Sequence, residues 1–313
     1  KKVAFSAHPH LDPHRGELYN FGLSYGARGT QLCTFKLDRA GHLTKLRRAA
    51  LPYMTFLHDY GLSQNWMGFV ISPVKGSMTK MLLGLESVFE GFRSIPGGCS
   101  ELILLSRDGR QERRFEIAPQ DPAHVIAARE EGDEFILDTA IPGPWEEYRT
   151  PFANFRDDPF ACFGKNRVWR CRVNLRTGKV KEHELFRLPG DFPRADERLA
   201  MHEIRHVYFA AAPSWGRTGL LSAISSLDME TGDCQTFDFG HGQVVSEAVF
   251  APDASRSEEN AGWLLSLVYD PVRRASDCVV LDAQRVQEGP VCTYRLPVSA
   301  GLTFHGSWSA EGP

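Results

Sequence analysis

Val173-Asn174-Leu175-Arg176-Thr177-Gly178 and Leu227-Asp228-Met229-Glu230-Thr231-Gly232 are two copies of one local design. An apolar residue closes a strand, Asn or Asp starts the turn, a short polar stretch follows, and Gly supplies a positive φ before a second strand leaves. The same order recurs in Phe35–Gly41 (FKLDRAG), in Leu105–Gly109 (LSRDG), and in Leu281-Asp282 running on to Gly289. The turns fall about 50 to 70 residues apart, the interval of a four-stranded sheet closed by a hairpin. This predicts an all-β chain of repeated small sheets, a β-propeller, with a β-sandwich of unrelated hairpins as the open alternative.

Short strand-like runs surround these turns: 31–37, 66–71, 101–105, 134–138, 168–174, 207–211, 264–269 and 278–282. Helical periodicity is confined to Ser77–Glu90, where Met78, Met81, Leu82, Leu85, Val88 and Phe89 share one face. That stripe is expected to pack as core or to lie as a lid over a cavity. With no long linker in the sequence, residues 1–313 are expected to form a single domain.

The 313 residues carry 36 basic and 39 acidic side chains, a net charge of −3, which argues against nucleic acid as a partner. Seven cysteines without a C-x-x-C pair predict reduced thiols in a cytoplasmic protein, and no apolar run is long enough to span a bilayer. The chain opens at Lys1 directly on a strand-like run, which reads as a trimmed product or fragment.

Of the 11 histidines, His14, His42, His183 and His241 lie in polar or Gly-rich surroundings and read as surface residues. His202 and His206 satisfy H-E-x-x-H, a zinc-hydrolase signature that requires a helix at a place where the sequence turns strand-like. His8, His58, His124 and His305 each sit beside an apolar run, far apart in the chain. On residues alone two readings stay open: four separate structural histidines, or a ring of metal ligands contributed by different blades.

Several stretches together narrow this choice. They are Ser6-Ala-His-Pro-His10 with Asp12-Pro13 and Gly16–Gly22 (GELYNFG), Leu57-His-Asp-Tyr-Gly-Leu62, Asp191-Phe-Pro-Arg194, Ser246-Glu247 with Phe250-Ala-Pro252, Gly262–Asp270, Val280–Ala283, and Phe304-His-Gly-Ser-Trp308. In this order, along the whole chain, they resemble the carotenoid cleavage oxygenases, the family of apocarotenoid and lignostilbene dioxygenases. The resemblance implies a seven-bladed β-propeller whose N-terminal blades are missing from this chain. It implies a non-haem Fe(2+) held by His8, His58, His124 and His305, with Glu247 and Asp191 as carboxylates orienting the imidazoles. Where the family prefers Glu, Asp191 is one methylene shorter. Around His124 the family's Phe and Asn are replaced, the sequence reading Ala123-His-Val-Ile-Ala-Ala-Arg129.

The expected function is cleavage of a conjugated C=C bond in an apolar carotenoid, apocarotenoid or stilbene-like substrate by O2. Phe56, Tyr60, Phe304 and Trp308 are the substrate-lining candidates, and the Met78–Phe89 stripe is a candidate contact with a membrane surface. The alternative is a non-catalytic propeller scaffold or an inactive fragment of such an enzyme.

Overall fold

The computed structural model describes residues 3–26, 29–87, 90–143, 145, 166–212, 221–240, 242–301 and 303–310. Among the described residues, five antiparallel sheets repeat one plan. The first joins β1 (His10–Asp12), β2 (Glu17–Ser24), β3 (Gln31–Leu37) and β4 (Leu43–Ala50). In the second, β5 (Gly61–Leu62) pairs β6 (Trp66–Ile71), a two-stranded excursion of β7 (Val74–Gly76) and β8 (Phe92–Ser94) intervenes, and β9 (Ser100–Ser106) and β10 (Glu112–Ile117) complete the sheet. The third is β11 (His124–Glu131), β12 (Glu134–Ile141), β13 (Asn166–Asn174) and β14 (Val180–Leu188). The fourth is β15 (Gly190–Arg194), β16 (His206–Ala211), β17 (Ala223–Asp228) and β18 (Cys234–Asp238). In the fifth, β19 (Val244–Val245) and β20 (Val249–Pro252) both pair β21 (Gly262–Asp270), followed by β22 (Ala275–Asp282) and β23 (Pro290–Arg295).

All five turns singled out in the sequence join the last two strands of a sheet. Their first side chain does the expected work. Asn174 Oδ1 accepts the Thr177 amide at 2.8 Å and Asp228 Oδ1 that of Glu230 at 2.9 Å. Gly178 and Gly232 adopt φ of 74° and 82°, where a side chain would be strained. Burial falls across each sheet. β6 is buried at every position, whereas β4, β18 and β23 are largely exposed. Charged side chains on these outer strands, such as Arg47 and Arg48, discourage edge-to-edge pairing.

Contacts divide the chain into two compact units. The first comprises Lys1–Ala153, Trp169–Leu185 and Ala200–His202; the second comprises Asn154–Val168, Phe186–Leu199 and Glu203–Pro313. The core of the first includes Tyr19, Phe21, Tyr60, Phe69 and Ile103, and that of the second includes Tyr208, Phe250, Leu264 and Leu281.

Two sequence expectations are corrected. The helix predicted over Ser77–Glu90 forms only as α1 (Met78–Leu82), and it buries no residue. Gly84 stops it: at φ 67° its amide bonds Met81 O while the Leu85 amide bonds Lys80 O, the hydrogen-bond pair of a Schellman C-cap. Leu82, Leu83 and Leu85 are 79%, 67% and 69% exposed and so are not core, whereas Met81 packs against the cluster of Val74, Phe92 and Trp145. Val88 and Phe89 lie outside the described residues, as do Cys162 and His241. The H-E-x-x-H segment is no helix either, since Met201 has φ 70° and His206 opens strand β16. The zinc-hydrolase geometry therefore does not arise. The six described cysteines are free thiols, and no helix among the described residues is long and apolar enough to cross a membrane.

Candidate metal centre

The segment carrying His8 is laid onto β2 by motif residues. Asn20 Nδ2 donates to Ser6 O at 2.9 Å, and the Ser6 amide donates to Phe21 O at 2.9 Å. Approach here is close enough that a Cβ on Gly22 would lie 1.6 Å from Ala4 O. Ser6 Oγ then ties two site segments together. It accepts the His8 amide at 3.1 Å and donates to His58 O at 3.4 Å. Gly22→Ala must push residues 3–6 off β2 and carry His8 with them. We expect a stability loss of about 1–3 kcal/mol by urea unfolding, accompanied by loss of bound metal by elemental analysis.

His58 precedes the two-residue strand β5, and His124 is the first residue of β11. A register shift between Val125 and Ala127 follows at once, and such a bulge re-aims the side chains beside it. Within this first unit the three imidazoles converge. His8 Nε2 lies 2.9 Å from His58 Nε2, and the His124 ring lies 5.3 and 5.1 Å from the rings of His8 and His58. One nitrogen of each lies within 4.8 Å of those of the others.

Asp59, between His58 and Tyr60, was not singled out from the sequence. Its side chain is 4% exposed and fully engaged. Oδ1 accepts the Tyr60 amide at 2.7 Å, faces His10 Nε2 at 3.3 Å and lies 3.8 Å from His8 Nδ1. Oδ2 accepts the Val125 amide at 2.8 Å. Burial alone would raise this carboxyl's pKa, but in the metal-free protein, with the imidazoles protonated, the charges of His8, His10 and His124 and the His10 hydrogen bond hold it well below the usual range. The adjacency of an acid to a predicted ligand was the available signal.

The donor set suits a borderline transition-metal cation. Imidazole nitrogens bind such ions at about 2.1 Å, and two of them at right angles then stand about 3.0 Å apart. The observed 2.9 Å between Nε2 atoms matches that separation. Three neutral donors in a partly buried cluster would hold an ion such as ferrous iron without cancelling its charge.

The second unit presents the fourth predicted histidine with its own carboxylate. Glu247 falls in the gap between β19 and β20, where one more residue lies between Val245 and Val249 than between their partners Val268 and Leu265. Its Oε1 faces His305 Nδ1 at 3.1 Å and Arg194 Nη1 at 3.7 Å, and Oε2 accepts the Gly306 amide at 2.8 Å. Asp191 lies in β15 at another register shift and is 1% exposed. Its Oδ1 accepts the Phe192 amide at 2.8 Å, and the Phe192 ring packs edge-on to His305 at 5.7 Å. First strands of three sheets are thus irregular beside His124, Asp191 and Glu247.

The predicted lining residues separate. Phe56 stacks on His58 at 6.0 Å and joins Val74, Phe92 and Trp145 in an apolar cluster. Tyr60 is fully buried in the core of the first unit, stacked on Phe69. Phe304 and Trp308 flank His305 in sequence and are 47% and 46% exposed.

Repeated four-stranded sheets, with irregular first strands that present imidazoles backed by buried carboxylates, define an all-β class suited to holding a cation by neutral nitrogens. The chain belongs to the RPE65/carotenoid oxygenase family: the profile described as retinal pigment epithelial membrane protein matches residues 1–310. It is 26% identical over 310 residues to an apocarotenoid-15,15'-oxygenase of Synechocystis sp., covering 97% of this chain and 63% of that protein. It is 28% identical over 335 residues to a lignostilbene-alpha,beta-dioxygenase isozyme III of Sphingomonas paucimobilis, covering 99% and 66%. A solved structure of a Synechocystis ACO mutant superposes with a TM-score of 0.88 at 25% identity, covering 99% of this chain and 65% of that one. The chain therefore spans less than two thirds of the length of these relatives.

Proposed function

We propose that the protein is a non-haem Fe(II)-dependent dioxygenase that cleaves a conjugated C=C bond of a carotenoid, apocarotenoid or stilbene-like substrate, giving two carbonyl products. The observation that carries this reading is the His8, His58 and His124 cluster, with Nε2 atoms 2.9 Å apart, in a chain of this family. In this reading His305 is the fourth ligand, and the five sheets are blades of a seven-bladed propeller.

Ferrous iron, when bound, would activate O2; the electrons that reduce it come from the cleaved C=C bond, and each carbonyl product keeps one oxygen atom. The protein's own groups do the rest. Four imidazoles stay neutral, each keeping a nitrogen lone pair toward the ion. Glu247 holds the Nδ1–H of His305 and so turns Nε2 inward. Asp191 acts as the second orienting carboxylate, directly or through a water. Phe56, with Phe92 and Trp145 behind it, offers an apolar wall beside His58 that excludes water and takes the flat face of a polyene or stilbene. Phe304 and Trp308 are assigned the same lining role beside His305.

The test is elemental analysis of anaerobically purified protein, then incubation with an apocarotenal and with a hydroxystilbene under labelled O2. Near-stoichiometric iron and paired labelled carbonyl products support the reading. Protein that holds no iron and cleaves neither compound is a scaffold instead.

Such substrates partition into membranes, and the exposed leucines at the end of α1 form the matching surface. Leu82, Leu83 and Leu85 are all exposed, as an apolar face that inserts into an interface must be. Replacing the three leucines by Ser is expected to weaken sedimentation with phosphatidylglycerol-containing vesicles by about tenfold or more, with iron content unchanged.

A further inference from the structure

We propose that Asp59 is the positioning residue of the metal centre, one buried carboxylate that sets three ligand-bearing segments at once. This rests on the reading of His8, His58 and His124 as ligands. Its place in the chain and two contacts support it. Asp59 follows His58 in the chain, so fixing its carboxylate fixes the backbone that aims His58. Its Oδ2 holds the amide of Val125, the residue after His124, at 2.8 Å, directly before the bulge of β11. Its Oδ1 lies 3.8 Å from His8 Nδ1, on the side of the ring away from the Nε2 that meets His58.

The His8 contact is longer than a formed hydrogen bond but too short to admit a water. Contacts of this kind tighten when the ligand set closes on its partner. A carboxylate there selects the tautomer with hydrogen on Nδ1 and the lone pair on Nε2, and it makes the imidazole a better donor. It also places a negative charge one imidazole away from a dication whose proposed ligands are all neutral. His10 Nε2 at 3.3 Å and the Tyr60 amide at 2.7 Å hold Oδ1 from its other sides, so the carboxylate is itself immobilised.

Asp59→Asn keeps the size and one acceptor oxygen while removing the charge. The experiment is anaerobic Co(II) titration of the full chain, read by the visible bands of bound cobalt. The expected result is a 10- to 100-fold loss of Co(II) affinity together with shifted cobalt bands, because the donor strength of His8 changes. Affinity within about twofold of the parent overturns the proposal, as does weakened binding with unchanged bands, which marks general loosening. Should the Asn variant fail to fold, nitrogen-15 spectra of the Zn(II)-loaded parent decide: His8 protonated at Nδ1 and bound through Nε2 supports the role, and binding through Nδ1 overturns it. A parent protein that takes up neither metal overturns the ligand reading itself, and this inference with it.

Discussion

His58→Ala is expected to strip the protein of iron and reduce cleavage of any substrate to background. His58 sits at the centre of the cluster: its Nε2 is 2.9 Å from that of His8, its ring is 5.1 Å from that of His124, and its backbone carbonyl is bonded to Ser6. Removing an orienting group outside the ligand set of a metal usually costs 10- to 100-fold in affinity, so loss of a direct ligand should exceed about 100-fold. The fold should survive, because the substitution deletes a partly buried imidazole three residues before β5 and leaves the cores of both units intact. The measurements are iron per chain after anaerobic purification and product yield under saturating O2. Iron content equal to that of the parent would remove His58 from the ligand set. Retained iron with lost turnover would move it to a substrate-facing role.

What the sequence discloses about this protein follows the range of each interaction. The strand runs at 31–37 and 66–71 coincide with β3 and β6, and the others fall inside longer strands. An alternating or buried apolar run beside an Asp/Asn…Gly turn is a local signal, and the hairpin that it specifies is local too. The helical signal overruns for an equally local reason: periodicity extends past the stop that Gly84 imposes. The candidate metal centre is different. His8, His58 and His124 come together through sheet pairing across distant segments, so no spacing announces them, and only the ordered motifs of a family single them out. Asp59 was in plain view in Leu57-His-Asp-Tyr60, but its contacts to His8 and Val125 exist only after the first and third sheets form. The register shifts beside His124, Asp191 and Glu247 leave no composition signal at all, because a bulge is a property of two strands rather than one.

Asp12→Ala is expected to destabilise the protein by about 3–5 kcal/mol, the cost of leaving one partner of a buried ion pair alone. Asp12 is 2% exposed at the end of β1, and Arg107, 6% exposed after β9, donates to it from Nη2. Arg107 Nη1 also donates to the carbonyls of Ser63 at 3.2 Å and Gln64 at 3.0 Å, and the guanidinium lies 4.4 Å from the Tyr19 ring centroid. Those neutral partners do not replace a carboxylate, and the Glu17 carboxylate lies at 4.0 Å, beyond hydrogen-bond reach. Asp12 in turn caps its own turn, its Oδ1 accepting the amides of His14 and Arg15 at 3.0 Å. Burial pushes the Asp12 carboxyl up, yet the Arg107 hydrogen bond and charge, with those two amides, bring it below the ordinary value. The sign follows. A depressed folded pKa adds stability that is present above the unfolded value of about 3.9 and is lost as pH falls through the folded one. Urea midpoints of the parent should therefore drop below about pH 4, and the Asp12→Ala variant should lack that part of the decline. Replacing both partners with apolar residues, Asp12→Leu with Arg107→Met, should recover much of the loss. The function is coupled to the same pair, because β1 begins two residues after His8 and its register is held at the Asp12 end. A variant that loosens that end while the other sheets persist should lose bound iron at urea concentrations below its unfolding midpoint. Iron lost only together with the whole fold would show that the pair stabilises the sheet without bearing on His8.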